Sequence, residues 1–258
     1  MMPDMEKPAF RDRLLRGERL IGTLVSLPSP ELAEIASEAG FDWLFIDLEH
    51  GAIGAEDALR LVQAVRPPCA PVIRVPENSE MWIKKALDTG AAGLIFPRIN
   101  SAEEAARAVH WGKYPPEGGR SVGFSRAGRY GLRFQEHVES ANAETVLIAQ
   151  IEHVEAVAAI EGILGVTGID AVFVGPYDLS ASMGKPGRIQ DEDVRRAVRT
   201  VREACAARKL PAGIFAQEVP GARQALDEGY TLVCAGLDIV IYARAATESI
   251  RALKSRNS

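Results

Sequence analysis

The stretch EIASEAGFDWLFIDLEHG, residues 34–51, passes from a helix to a strand through a single glycine. Leu32, Ile35, Ala36 and Ala39 recur at the 3.6-residue period of a helix that packs one face on a core. Ser29 is placed to cap this helix, and Pro30 suits its first turn. Gly40 stands where the residue after a helix takes a positive φ, a region that glycine enters without steric cost. FDWLFI is then continuously apolar, as a strand covered on both faces must be. The same joint recurs as KALDTG–AAGLIF at 85–96 and as QALDEG–YTLVCAG at 224–236.

Working outward, apolar runs occupy 21–27, 43–48, 71–75, 93–98, 146–151, 171–175, 212–215 and 231–236. Strands alternating with helices imply a parallel sheet, and eight of them imply a (β/α)₈ TIM barrel, an α/β fold in one domain over 1–258. The alternative is a doubly wound open sheet, but no run is followed by the G-x-G-x-x-G of a dinucleotide turn. One connection, 112–145, is long and rich in Gly, Pro and Arg. Its Arg120, Arg126, Arg129 and Arg133 form either a cationic rim over an active site or a solvated surface excursion. SASMGKPGR, 180–188, is a second candidate mobile loop, with Gly184 and Gly187 as hinges.

The chain has 258 residues, 47% of them hydrophobic and 25% charged, with 30 Lys plus Arg against 35 Asp plus Glu. A net charge of −5 offers no basic surplus for nucleic acid or anionic membrane. No apolar stretch is long enough to span a bilayer. The start, MMPDMEKPAF, does not read as a signal peptide. Cys69, Cys205 and Cys234 are odd in number and far apart, which suggests neither disulfides nor structural zinc. A reduced, cytoplasmic protein is expected.

In such barrels the chemistry sits at the C-terminal ends of the strands. Those ends carry Asp47, Glu49 and His50 on the second run, Arg74 on the third and Arg98 on the fourth. Gln150, Glu152 and His153 end the fifth, Gly175, Pro176, Tyr177 and Asp178 follow the sixth, and Asp238 follows the eighth. Glu152 and Asp178, on adjacent strands, either share a divalent ion such as Mg²⁺, Mn²⁺ or Co²⁺ or cap the helices that follow. Gln150 shares the inward face with Glu152 and is placed to hydrogen-bond substrate or a metal's water. His50, beside two carboxylates and one strand from Arg74, is either a general base or a satisfied loop residue. His153 reads as a helix-start residue, with the metal's surroundings as the alternative. No lysine falls within a strand and only Lys185 lies in a loop on the active face, which argues against Schiff-base chemistry.

FDWLFIDLEHG, PVIRV, LDTGA, YPPEGGRSVG, QIE and GIDAVFVGPYDLSASMG stand in the order found in one enzyme family. Over roughly 15–250 the chain resembles the metal-dependent class II pyruvate aldolases of the HpcH/HpaI type, in the phosphoenolpyruvate/pyruvate barrel superfamily. The resemblance implies Glu152 and Asp178 as metal ligands, His50 as general base, Asp88 of LDTGA as the acid paired with it, and Arg74 as support for the enolate. It implies that Gly175, Pro176 and Tyr177 hold the pyruvate carboxylate, and that the protein is a hexamer. The implied reaction is reversible cleavage of 4-hydroxy-2-oxo acids to pyruvate and an aldehyde. Rivals are oxaloacetate decarboxylation, a coenzyme A-thioester lyase and a catalytically silent oligomeric binding protein. The chain departs from the family pattern in GTLVSL, which lacks a Trp, at Leu48 in place of Gly, in AIGAED, which lacks a Pro-Asn-Asp stretch, and at His153 in place of a small hydroxyl residue. The first three departures fall where the aldehyde half of the substrate should sit.

Overall fold

A computed structural model describes residues 9–255. The reading of the N-terminus rests largely on residues 1–8, which lie outside the described residues, as do 256–258. Eight parallel strands close a barrel in chain order: β1 (Leu20–Val25), β2 (Trp43–Asp47), β3 (Ala70–Arg74), β4 (Gly93–Phe96), β5 (Val146–Ile151), β6 (Ala171–Val174), β7 (Ala212–Ala216) and β8 (Leu232–Leu237). The eight runs are those read from sequence, with ends shifted by a few residues. The ends of β1 and β4 shift most; β1 stops at Val25, where the Asp238 carboxylate takes the N–H groups of Ser26 and Leu27, each at 2.9 Å.

The helices are α1 (Phe10–Leu15), α2 (Pro30–Glu38), α3 (Ala55–Ala64), α4 (Glu80–Asp88), α5 (Ala102–Gly112), α6 (Phe134–Glu144), α7 (Val154–Ala158), α8 (Ile160–Leu164), α9 (Pro176–Ser182), α10 (Glu192–Ala207), α11 (Val219–Asp227) and α12 (Asp238–Lys254). The long connection at 112–145 therefore holds a helix, α6, in its second half. Gly40, Gly90 and Gly229 have φ of +97°, +82° and +97°, as the repeated joint requires. Ser29 accepts a hydrogen bond from the Leu32 N–H and caps α2.

The buried face of α2 differs from the expected stripe. Ala33 and Ser37 are buried, whereas Ile35 is 62% exposed and Ala39 is exposed. Ser37 satisfies its hydroxyl by donating to the Ala33 carbonyl and accepting from the Arg66 N–H. Small side chains let α2 lie close to the sheet, and this turns Ile35 outward.

Period-two alternation sends Trp43, Phe45 and Asp47 into the barrel and Leu44 and Ile46 out to the helix layer. Phe173 meets Phe45 and Trp43 edge-on, at centroid distances of 5.4 and 6.1 Å. Leu14 of α1 joins this inner cluster. Arg11 and Arg13 hold α1 against Asp170 and Asp42, so it closes the end where the strands begin. The other end stays open. Among the described residues no helix is long and apolar enough to cross a membrane.

The aromatic layer leaves no room at Gly22, where a Cβ would lie 2.5 Å from Trp43 Cε2. Gly22→Ala should cost about 1–3 kcal/mol through overpacking, read as a lower urea midpoint. Gly162→Ala, whose Cβ would meet only Ala102 at an ordinary 3.6 Å, should be neutral or stabilising by about 0.5–1 kcal/mol. Equal effects would show that the ring does not set the constraint.

Candidate active site

At the open end, Asp47 and Arg74 are register partners on neighbouring strands. Arg74 donates Nε to Asp47 Oδ1 at 2.9 Å and Nη2 to Oδ2 at 2.6 Å, a two-pronged geometry that fixes the guanidinium plane. Nη1 lies 3.0 Å from Glu49 Oε2, and the guanidinium sits 5.1 Å from the centre of the Phe45 ring. Burial works against the Arg74 charge, but the bonds and charge of Asp47 and the charges of Glu49 and Glu152 outweigh it and hold it protonated. Asp47 Oδ1 also accepts from the N–H groups of Glu49 and His50. The sequence reading treated Asp47 and Glu49 only as neighbours of His50. Their partnership with Arg74 follows from the strand register.

Glu152, 5% exposed, accepts the Arg98 N–H at 2.8 Å and a short bond from Gln150 Nε2. It does not cap the helix that follows. Gly175 is needed beside it, since a Cβ there would stand 3.0 Å from Glu152 Oε2 and 3.2 Å from Gln150 Nε2. Burial, then the negative charge of Glu49, pushes the Glu152 carboxyl up to about 7, and burial likewise raises Glu49. Asp178, in the first turn of α9, is exposed, and its charge also bears on Glu49 and Glu152.

These groups fit a divalent cation. Two hard oxygen donors on adjacent elements face an excess of buried negative charge, and Gln150 Oε1 is buried without a hydrogen-bond partner. Among the described residues no three His, Cys, Asp or Glu side chains form a ready metal cage. The site therefore offers Glu152 and Asp178, with solvent and substrate oxygens to complete the set.

A cavity of about 450 Å³ opens over this floor, and its lining includes His50, Arg74, Gln150, Gly175, Pro176, Tyr177 and Asp178. His50 lies with its Nε2 4.0 Å from Glu49 Oε2. The Tyr177 hydroxyl donates to Gln217 Oε1 at 3.0 Å.

Other expected members lie elsewhere. Asp88 ends α4, just before β4 begins, so it sits at the opposite end of the barrel from His50 and pairs with Arg120 at 2.9 Å. Arg120 is buried, stacked 4.4 Å over Tyr114, and Arg126 donates to the Thr89 carbonyl. Arg133 pairs with Glu136 on the surface. These side chains form no rim over the cavity in one chain, because the 112–145 connection runs beneath the strand starts. His153 caps α7, its Nδ1 accepting the Glu155 N–H, which is the helix-start reading. Lys185 is tied to Asp193 and Asp191; the hydrogen bond to Asp193 raises its pKa and leaves it no free amine. Asp238 spends both oxygens on Ser26, Leu27 and Ile239.

A family model described as HpcH/HpaI aldolase/citrate lyase matches residues 20–245. The hydroxypyruvate/pyruvate aldolase of Paraburkholderia phytofirmans is 38% identical over 254 residues, covering 95% of this chain and 97% of that protein. The 2-keto-3-deoxy-L-rhamnonate aldolase of Escherichia coli K12 is 40% identical over 250 residues, covering 95% and 93%. The crystal structure of an HpcH/HpaI aldolase/citrate lyase family protein from Burkholderia cenocepacia J2315 superposes with a TM-score of 0.92 at 36% identity, over 95% of this chain and 98% of that one. With this coverage and identity, the chain belongs to the HpcH/HpaI aldolase/citrate lyase family.

Proposed function

We propose that this one-domain barrel is a divalent-metal-dependent carbon–carbon lyase that reversibly cleaves 4-hydroxy-2-oxo acids to pyruvate and an aldehyde. The observation that carries the reading is a fixed guanidinium, Arg74, which lines a cavity and has the buried carboxylates Glu49 and Glu152 beside it. Glu152 and Asp178 would hold Mg²⁺, Mn²⁺ or Co²⁺, which supplies electrophilic stabilisation of the developing enolate oxygen. Arg74 adds a positive charge already oriented by Asp47, so little reorganisation is needed as charge develops. Gln150 and the Gly175–Pro176–Tyr177 turn hold the pyruvate end. His50 takes the 4-hydroxyl proton as the C3–C4 bond breaks, and pyruvate leaves after protonation at C3.

Asp88 reaches a His50 only from another copy of the chain. A homo-oligomer, read as a hexamer from the resemblance, is supported by α12, whose Ile241, Tyr242, Ile250 and Leu253 are all at least half exposed. The reading is of a small-molecule enzyme in the cytoplasm, where three buried free cysteines, their thiols pushed upward by burial, would stay reduced.

Glu152 gives a pH prediction. Without metal, the folded protein keeps this proton up to about pH 7, whereas an ordinary carboxyl loses it near 4.5. Between those values the folded state binds more protons, so its stability should fall as pH rises, by up to about 1.4 kcal/mol per unit. Glu152→Gln should flatten that slope in urea titrations. Metal competes with the same proton, so calorimetric affinity for Mn²⁺ should weaken about tenfold per unit below pH 7. Equal affinity at pH 6 and 8 would argue against Glu152 as ligand.

Chelation should abolish pyruvate release, and added Mn²⁺ should restore it; full activity in verified metal-free protein would refute the mechanism. His50→Ala should lose cleavage by roughly 10²–10⁴-fold while keeping most exchange of the pyruvate methyl protons in D₂O, followed by proton NMR. Arg74→Ala should lose both reactions. Proportional losses in His50→Ala would place His50 on the methyl group or the metal instead.

A further inference from the structure

From the walls of the cavity we infer that the aldehyde partner is an uncharged, apolar aldehyde rather than a carboxylated or polyhydroxylated one. The inference rests on the aldolase reading above. Arg74, Gln150, Gly175 and Asp178 line the cavity, with Glu152 bonded to Gln150 behind them, and this part is assigned to pyruvate. In the rest of the lining, beside Ser26, His50, Ala52 and Tyr177, stand Leu24, Leu27, Pro28, Phe215, Leu237 and Ile239. The latter are hydrocarbon side chains, and such a surface favours a ligand that gives up little hydration on entry.

The polar groups along that wall have already committed their protons. Ser26 Oγ donates to Asp238 Oδ1 at 2.7 Å, and the Tyr177 hydroxyl donates to Gln217. Asp238 cannot receive a substrate hydroxyl, since its oxygens hold three backbone N–H groups and Ser26. His50 remains, and the reaction uses it at the hydroxyl that is made or broken. Additional hydroxyls on an aldehyde would leave water for a wall whose side-chain hydroxyl protons are already committed, with a net loss of hydrogen bonds.

Charge points the same way. Arg74 is the one cation in the cavity lining and is held by Asp47 and Glu49. Asp47, Glu49 and Glu152 already bear on Arg74, so a second carboxylate on the aldehyde would meet like charge there. The bond-forming step itself is redox-neutral. Pyruvate C3 gives a proton to solvent and bonds to the aldehyde carbonyl carbon, and the carbonyl oxygen takes a proton from His50, which solvent then restores.

The experiment measures kcat/KM for aldol addition of pyruvate, with Mn²⁺, to butanal, hexanal, glyceraldehyde and succinic semialdehyde. Deuterium exchange of pyruvate is followed in the same preparation. Hexanal should exceed both glyceraldehyde and succinic semialdehyde at least tenfold, and should exceed butanal. Leu27→Arg, at an exposed wall position, should move the ratio of succinic semialdehyde to hexanal at least tenfold toward the acid. Exchange with a preference for either polar aldehyde, or an unchanged ratio in Leu27→Arg, would overturn the acceptor assignment while leaving the aldolase reading intact. Absence of both exchange and addition would overturn both.

Discussion

The arrangement at the open end depends on the ion pair between Asp47 and Arg74. Both residues end their strands and face each other in register. Below them lies the aromatic layer of Trp43, Phe45 and Phe173, which makes that level of the barrel dry. A carboxylate or a guanidinium alone at such a depth would be strongly unfavourable; removing one partner of a buried pair typically costs about 3–5 kcal/mol. Asp47 has a second task, since its Oδ1 also receives the Glu49 and His50 N–H groups. One side chain therefore fixes both the cation on the floor and the start of the loop that carries His50.

Asp47 does not balance the site. Glu49 and Glu152 are drawn into the same low-dielectric region, and Arg74 cannot neutralise three carboxylates. The protein relieves the excess by raising the pKa of Glu152 to about 7. A site that holds a proton with difficulty at neutral pH is ready to exchange it for a cation. A divalent cation bound there would offset the acid that the local base cannot.

Much of this was legible in the sequence. Continuous apolar runs located all eight strands, and the helix–Gly–strand joint gave their order and direction. Their positions at the C-terminal ends of strands then placed Arg74, Gln150 and Glu152 at one end of the barrel, and alternation put Gln150 and Glu152 on one face. The face of α2 was not legible, because a helix with several small residues has more than one apolar stripe, and closeness to the sheet selects Ala33 and Ser37 over Ile35. The position of Asp88 was legible but was read against the geometry. LDTG belongs to the repeated joint, and every such joint lies where strands begin. A motif match named a partner for His50, whereas the topology of one chain puts that residue at the far end. The tasks of Asp238 and of the arginines in the 112–145 connection depend on contacts between segments far apart in sequence, which local pattern does not encode.

Asp238 connects two features that would otherwise look separate. It is the first residue of α12, a 17-residue helix without a buried side chain, and its carboxylate holds the loop that leaves β1. That loop contributes Leu27 and Pro28 to the cavity wall, and α12 itself contributes Ile239. A tilt of α12 would be felt through Asp238 by that loop, whereas Arg74 and Gln150 stand on β3 and β5 and Glu152 directly follows β5. Within one chain α12 touches chiefly β8 and β1, so little of its own barrel opposes such a tilt. A second copy that covers the apolar side of α12 would oppose it, and would set the shape of the acceptor half of the site without touching the pyruvate half.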